Sequence, residues 1–284
     1  MPADTPVYGG LTQAQLDAQY DQATAVPGMR DYMARWAEAG AAARTRLAPA
    51  THAYGPGPAA QLDLYLPPAP RSAHLHLHGG AWRALSRQDA AFTVDGLSAG
   101  GAAVAVADFP LAPAAPLGEI VAHVRAAFLW LRGWAAERGL PVTVSGHSSG
   151  GHLAACLLDR GWWQETGVTA TDFAGVLLAS GIYDLEPVRL SARNRYLHLD
   201  AAEARRLSPL ANLPEALPPM AILWGDGELD EFRRQSRAYA EAVRPLAPRL
   251  LGGEIAGLNH FEIYDAFALA GSPVCRALAE LATD

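Results

Sequence analysis

Serine, histidine and carboxylate side chains are the groups in this chain whose spacing could support acyl transfer, and the serine is the easiest to locate. The run Val144-Ser145-Gly146-His147-Ser148-Ser149-Gly150-Gly151 contains a Gly-x-Ser-x-Gly pentapeptide. In such a turn the serine occupies strained backbone between a strand and a helix, and side chains two residues to either side would collide with the crossing elements. Pro141-Val142-Thr143-Val144 reads as a short buried strand, and Gly151 to Leu158 reads as an apolar helix opening directly after the serine. Ser148 is therefore the candidate nucleophile. The pentapeptide alone also fits a glycine-rich turn with a capping serine, so other residues must decide.

A serine nucleophile needs backbone donors for the oxyanion it creates and a base for its proton. Upstream, Ala73-His74-Leu75-His76-Leu77-His78 alternates polar and apolar and stops at Gly79-Gly80-Ala81-Trp82, a strand running into a glycine turn. Main-chain N–H groups after such a strand can converge with that of the residue following the nucleophile, provided glycine lets the backbone approach. Gly80, Ala81 and Ser149 are the expected donors, with Gly79 making the turn. His74, His76 and His78 project from one face of the strand and so also fit part of a metal set. No carboxylate or cysteine cluster stands nearby to complete one, and no metal is expected. His78 reads as shaping the glycine turn, and the other two as interior or edge histidines.

The acid and base should follow on loops after later strands. Pro219 to Trp224 is an apolar strand ending in the acidic loop Gly225-Asp226-Gly227-Glu228-Leu229-Asp230-Glu231-Phe232. Arg249 to Ile255 is the last strand, and it delivers Asn259-His260-Phe261 before another helix. His260 is the expected general base. Glu228 ranks first as its carboxylate partner, because it stands three positions past the glycine that closes the strand; Asp230 ranks second. Asp226 and Glu231 read as solvated or helix-capping charges. Trp82, Tyr183 and Phe261 flank these motifs and are the candidate walls of a substrate pocket, with core packing as the competing reading. His147 and His152 read as structural, and Arg189, Arg193 and Arg195, which could meet a substrate carboxylate, read as a solvated loop.

Five motifs in order carry a family resemblance: His78-Gly79-Gly80-Ala81-Trp82, Gly146 to His152, Ser180-Gly181-Ile182-Tyr183-Asp184-Leu185, Gly225 to Ser236, and Asn259-His260-Phe261. Together they resemble the arylformamidase (kynurenine formamidase-like) branch of the α/β-hydrolases, within the wider carboxylesterase and hormone-sensitive-lipase-like group. The likeness runs from about residue 10 to the C-terminus, since Leu16-Asp17-Ala18-Gln19-Tyr20 also resembles the family's N-terminal segment. It implies a Ser148, Glu228, His260 triad and an acyl-enzyme serine hydrolase acting on a small ester or amide, and a homodimer. Formamidases of this type commonly carry an aromatic where this chain has Ala81, which implies a reshaped mouth and admits a bulkier substrate. A non-catalytic binding protein on the same fold and a metal-dependent amidohydrolase built on the strand histidines are the rival readings.

The elements that must hold these residues alternate strand and helix, the pattern of a mostly parallel sheet with helices on both faces. Gln61 to Leu66, Ala73 to His78, Ala102 to Ala107, Pro141 to Val144, Gly175 to Ser180, Pro219 to Trp224 and Arg249 to Ile255 are the predicted strands. Gln88 to Gly100 and Leu117 to Arg138 are predicted helices. Residues 12–46, helical in pattern, and 184–218, irregular and proline-punctuated, are two candidate cap segments on one α/β-hydrolase domain spanning 1–284. With 284 residues, half of them hydrophobic, there is enough apolar material for one large core. The formal charge of −7, without a basic stripe, excludes nucleic acid as a partner. Two cysteines, Cys156 and Cys275, make no disulfide framework and suit reduced thiols in a cytoplasmic protein. Met1 to Pro6 lacks the basic and apolar parts of a secretory leader, and no apolar run reaches membrane-spanning length. The expected partner is a small-molecule substrate, and no motif calls for a cofactor.

Overall fold

The computed structural model describes residues 5–281; residues 1–4, part of the stretch read as carrying no leader, lie outside them. Eight strands form one sheet: β1 (Ala50–Ala53), β2 (Gln61–Tyr65), β3 (Ser72–Leu77), β4 (Ala102–Ala107), β5 (Val142–His147), β6 (Gly175–Ala179), β7 (Met220–Gly225) and β8 (Leu250–Ile255). Their order across the sheet is β1-β2-β4-β3-β5-β6-β7-β8. β2 runs antiparallel to both β1 and β4, and every other pairing is parallel. The C-terminal ends of β3, β5, β6, β7 and β8 therefore stand side by side along one edge, where open parallel sheets gather their ligands.

Every predicted strand is present, with ends displaced by a residue or a few. β1 is a strand that patterning misses. Its sequence Ala-Thr-His-Ala has no apolar alternation, and it lies largely exposed at the sheet edge, held by pairing with β2 rather than by burial. The predicted helix over 88–100 is broken into Arg87–Ala90, a tight turn at Ala91–Thr93, and Val94–Ser98. The 12–46 segment likewise splits, into Gln13–Ala18, Gln22–Ala25 and Met29–Leu47, with Asp21 capping the second helix and Gly28 entering the third at a φ of 87°.

Both faces of the sheet are buried, as a parallel sheet requires. Leu75, Leu77, Val144, Leu178 and Ile222 pack on one side with Phe128 and Tyr239; Val104, Val106, Leu177 and Leu223 pack on the other with Trp36, Phe92, Tyr264 and Phe267. Each such large side chain contributes about 1.5–3 kcal/mol by leaving water. His74 and His76 belong to the second face, and both are fully buried. Their polarity is met from the neighbouring strand: His74 Nδ1 lies 2.8 Å from Thr143 Oγ1, and Ser145 Oγ lies 2.8 Å from both His74 Nε2 and His76 Nδ1. The His-Leu-His-Leu alternation thus marks two buried faces of different chemistry, not one wet face and one dry.

The two candidate cap segments touch each other. Gln13 Nε2 donates to Leu190 O at 2.8 Å, Ala192 N to Asp17 Oδ1 at 2.6 Å, and Arg193 Nη2 to Tyr20 O at 3.0 Å. Among the described residues no helix is long and apolar enough to cross a membrane. Cys156 and Cys275 are both free and buried, as expected of reduced thiols.

Asp63, fully buried on β2, ties the Met29–Leu47 helix to the sheet: it pairs with Arg44 and with Arg87 Nε at 3.2 Å and accepts from Thr51 Oγ1 at 2.7 Å. Asp63→Asn leaves two guanidiniums facing a neutral amide, and denaturant melts are expected to show a loss of about 3 kcal/mol. An unchanged midpoint would mean that the carboxylate contributes nothing.

Candidate active site

β5 ends at His147 and the next helix, Ser149–Ala155, begins two residues later, leaving Ser148 in the turn at φ 57°, ψ −123°. That backbone is strained for a residue with a side chain. The flanking glycines are sterically required: a Cβ on Gly146 would stand 2.1 Å from Gly150 O, and one on Gly150 would stand 2.1 Å from Leu77 O. Ser148 N donates to Ala179 O of β6 at 2.9 Å, which fixes the turn against the sheet.

His260 opens the helix after β8, where Asn259 caps it by accepting from Phe261 N and Glu262 N while Glu262 accepts from Asn259 N. Its imidazole bridges two side chains. Nε2 lies 2.9 Å from Ser148 Oγ, and Nδ1 lies 2.8 Å from Glu228 Oε2. A carboxylate can only accept, so Nδ1 carries the proton and Nε2 is left to accept from the serine. Glu228 is itself oriented: Oε1 accepts from Gly225 N at 2.8 Å and from Ser180 Oγ at 2.5 Å. The side chain of Asp230, the second-ranked acid, is 86% exposed and faces Arg233 instead.

The glycine turn after β3 runs against this serine. A Cβ on Gly79 would stand 3.3 Å from Ser148 Cβ, and Trp82 N donates to Ser149 Oγ at 3.2 Å. Gly80 at φ 101° and Ala81 at φ 55° turn the chain sharply. The N–H groups of Gly80, Ala81 and Ser149 donate to no protein acceptor among the described residues.

Of the three candidate pocket walls only Phe261 borders the imidazole, edge-on to His260 at 5.7 Å and stacked on Tyr32 from the N-terminal segment at 5.2 Å. Trp82 and Tyr183 are corrected to core packing, since both are fully buried. The Trp82 indole donates to His152 Nδ1 at 3.1 Å, and the Tyr183 ring stacks on Tyr239 at 4.1 Å. Glu231 is also corrected, from a solvated charge to a buried one paired with Arg234 and accepting from Tyr20 and Gln235. Arg193 belongs to no solvated loop, being buried against Tyr20. The strand histidines do not assemble a site: His74 and His76 are engaged with Thr143, Ser145 and Tyr264, and His78 donates to Gly79 O at 2.9 Å while stacking on Phe109. Among the described residues no cluster of three His, Cys, Asp or Glu is arranged to hold a metal.

Two contributors, Ser180 and Gln235, were not assigned roles from sequence, and a third, His147, was read only as structural. Ser180 orients the acid, and its place at the end of a strand beside a glycine is the signal that could have found it. Gln235 accepts from Tyr183 N and Asp184 N and donates to Tyr20 OH, joining three segments behind the site. His147 donates through Nε2 to His260 O at 2.8 Å and stacks on Tyr264, so it holds the backbone of the bridging histidine.

The fold and this edge-of-sheet arrangement define the class, and the chain belongs to it: the model of a family described as having the alpha/beta hydrolase fold matches residues 74–260. Kynurenine formamidase of Danio rerio is 28% identical over 221 residues, covering 75% of this chain and 74% of that protein. The Salmo salar kynurenine formamidase is 28% identical over 222 residues with the same coverage. Among solved structures, a candidate thioesterase from Silicibacter sp. TM1040 superposes with a TM-score of 0.82 at 26% identity, covering 95% of this chain and 99% of that one. An esterase of Pyrobaculum calidifontis, at 18% identity and TM-score 0.71 over 96% and 98% of the two chains, shares the fold. Family and relatives support a hydrolase.

Burial keeps the surrounding histidines neutral. It pushes the His74 pKa down to about 3 and that of His152 to about 4, and it lowers those of His76 and His147 as well, the latter also through the charge of His260. In the unfolded chain these groups titrate near about 6.5, so below that pH the unfolded state binds protons that the folded state refuses. Their contribution is complete above about 6.5 and declines as pH falls, by about 1.4 kcal/mol per unit for each histidine. Denaturant midpoints should drop between pH 7 and pH 5, and less steeply in His74→Gln; a flat profile would contradict the neutral assignment.

Proposed function

We propose that the protein is a serine hydrolase that cleaves a small carboxylic ester or amide through an acyl-enzyme. The observation that carries this reading is the continuous hydrogen-bonded path from Ser148 Oγ through His260 to Glu228, at 2.9 Å and 2.8 Å. Ser148 Oγ attacks the substrate carbonyl carbon as His260 Nε2 takes the hydroxyl proton. The oxyanion that forms is met by the N–H groups of Gly80, Ala81 and Ser149, whose lack of protein acceptors supports that role. As the C–N or C–O bond breaks, His260 returns the proton to the leaving group. Water then adds to the acyl-serine with His260 as base, releasing the acid and restoring Ser148. Glu228 holds the Nδ1–H tautomer throughout and stabilises the imidazolium.

Within that chemistry the formamidase names of the relatives support an aryl formamide such as N-formylkynurenine, with a short acyl ester as the wider option. A parallel rate comparison of N-formylkynurenine with a p-nitrophenyl acetate and a p-nitrophenyl butyrate assigns the preference. Formamide kcat/KM above both esters is the expected outcome; butyrate preferred over both would make the protein a general esterase.

Ser148→Ala is expected to abolish both turnover and labelling by a fluorophosphonate probe while the fold is retained. Wild-type protein that takes no label would favour the non-catalytic binding reading. Glu228→Ala should lower kcat by about 10³–10⁴-fold, and Asp230→Ala by less than about twofold. A larger loss at Asp230 would reverse the choice of acid.

A further inference from the structure

Arg193 is a buried guanidinium in the neighbourhood of His260 that pairs with no acid among the described residues. Its residue exposure is 9%, Nη2 donates to Tyr20 O, and Nη1 is out of solvent with no hydrogen-bond partner. It makes no ion pair among the described residues. Asp21 is an acid whose charge acts on it, but that carboxylate accepts from Thr24 Oγ1 at 2.7 Å and from Ala23 N and Thr24 N instead. By contrast Arg87, also enclosed, pairs with Asp63 and Asp108. A buried charge left with an unpaired donor costs free energy that an anion could recover.

The position of this group relates it to the reacting atoms. The Arg193 guanidinium lies over the Tyr20 ring at 5.1 Å and the Phe232 ring at 5.8 Å, and Phe232 packs edge-on against His260 at 4.7 Å. Cation–π contact of this kind offsets desolvation but leaves the charge uncompensated. A second guanidinium comes from the glycine turn after β3. Arg83, one residue beyond Trp82 on the glycine turn, stacks over Tyr196 at 4.9 Å, is exposed, and also makes no ion pair among the described residues. Its charge reaches Arg193: burial first, and the field of Arg83 in the same direction, lower the Arg193 pKa from its ordinary value. Arg83 stands over a ring of the short helix Asn194–Leu197 that Arg193 precedes, and two cations in this neighbourhood, in a chain of net charge −7, are an arrangement that an anionic group would relieve.

Resting on the hydrolase reading above, we infer that Arg193 and Arg83 form an anion subsite, and that the preferred substrate carries a carboxylate which these two residues engage while its ester or amide carbonyl lies at Ser148. Arg193 supplies the charge-assisted hydrogen bond from Nη1, where the N-terminal segment meets the 184–218 insertion, and Arg83 draws the anion in from solvent. The residues set specificity; the bond-breaking steps belong to Ser148 and His260.

The test compares kcat/KM for phenyl acetate with two carboxylate analogues, 4-acetoxybenzoate, which carries the charge on the leaving group, and phenyl hemisuccinate, which carries it on the acyl group. One of the two should exceed phenyl acetate by about tenfold or more. That ratio should fall by about tenfold in Arg193→Met, recover in part in Arg193→Lys, and fall in Arg83→Met, an exposed position that keeps the test available should Arg193→Met not fold. Neither analogue preferred, or a ratio within about twofold of wild type in both Met variants, overturns the subsite. A binding arm separates this failure from failure of the serine reading: benzoate and benzamide are titrated into Ser148→Ala protein, with and without Arg193→Met. Benzoate binding that depends on Arg193 upholds the subsite even if no ester turns over, and benzoate binding no tighter than benzamide overturns it.

Discussion

The imidazole of His260 is held from both sides, and the rest of the arrangement depends on that. A free histidine ring rotates about two side-chain bonds and samples two neutral tautomers; this one is restricted by a buried carboxylate on Nδ1 and a serine hydroxyl on Nε2. The carboxylate can do this because it is restricted in turn. Glu228 Oε1 is engaged by Gly225 N and Ser180 Oγ, leaving only Oε2 for the histidine. The His260 main chain is fixed from below by the His147 side chain. Position is therefore passed outward from the ends of β5, β6, β7 and β8, whose spacing is set by backbone pairing and tolerates little drift.

Beneath the site, polar groups continue into the sheet instead of giving way to hydrocarbon. Ser145 Oγ lies between His74 and His76, His76 Nε2 lies 3.3 Å from Tyr264 OH, and Tyr264 stacks on His147. Buried polar atoms of this kind are tolerated when they pair with one another, and paired they restrict rotamers more sharply than apolar packing does. Tautomers follow from the same pairing: Trp82 Nε1 donates to His152 Nδ1, so His152 Nε2 must carry the proton it gives to Leu207 O. The glycine turn, the serine turn and the helix after it are thus joined through neutral histidines as well as through the backbone.

Much of this was legible from residue order because the signals are local and steric. Glycine at 146 is required by a contact of about 2 Å with Gly150 O within the same turn, glycine at 150 by one of the same length with Leu77 O at the end of β3, and the strand leading to the turn is an apolar run of ordinary length. The separation of Glu228 and Asp230 was legible for a related reason, since the glycine closing β7 fixes how soon a side chain can turn back toward the next loop. The misses share a different cause. Whether Trp82 and Tyr183 face a cleft or the core, whether Glu231 is wet, and whether Arg193 is solvated depend on segments far away in sequence, such as Tyr20 and Gln235, that no local pattern reports. β1 escaped because pairing with β2, not composition, makes it a strand. Ser180 escaped because its contact with Glu228 spans 48 positions.

The central claim is the protonation pattern of one ring, and nitrogen-edited NMR of histidine-labelled protein at neutral pH reads it directly. Assigned by comparison with His260→Gln, the His260 imidazole should appear as the Nδ1–H tautomer, with Nε2 unprotonated and an Nδ1 proton shifted far downfield by the Glu228 carboxylate. A ring found as the Nε2–H tautomer, or one averaging freely between the two, would contradict the account.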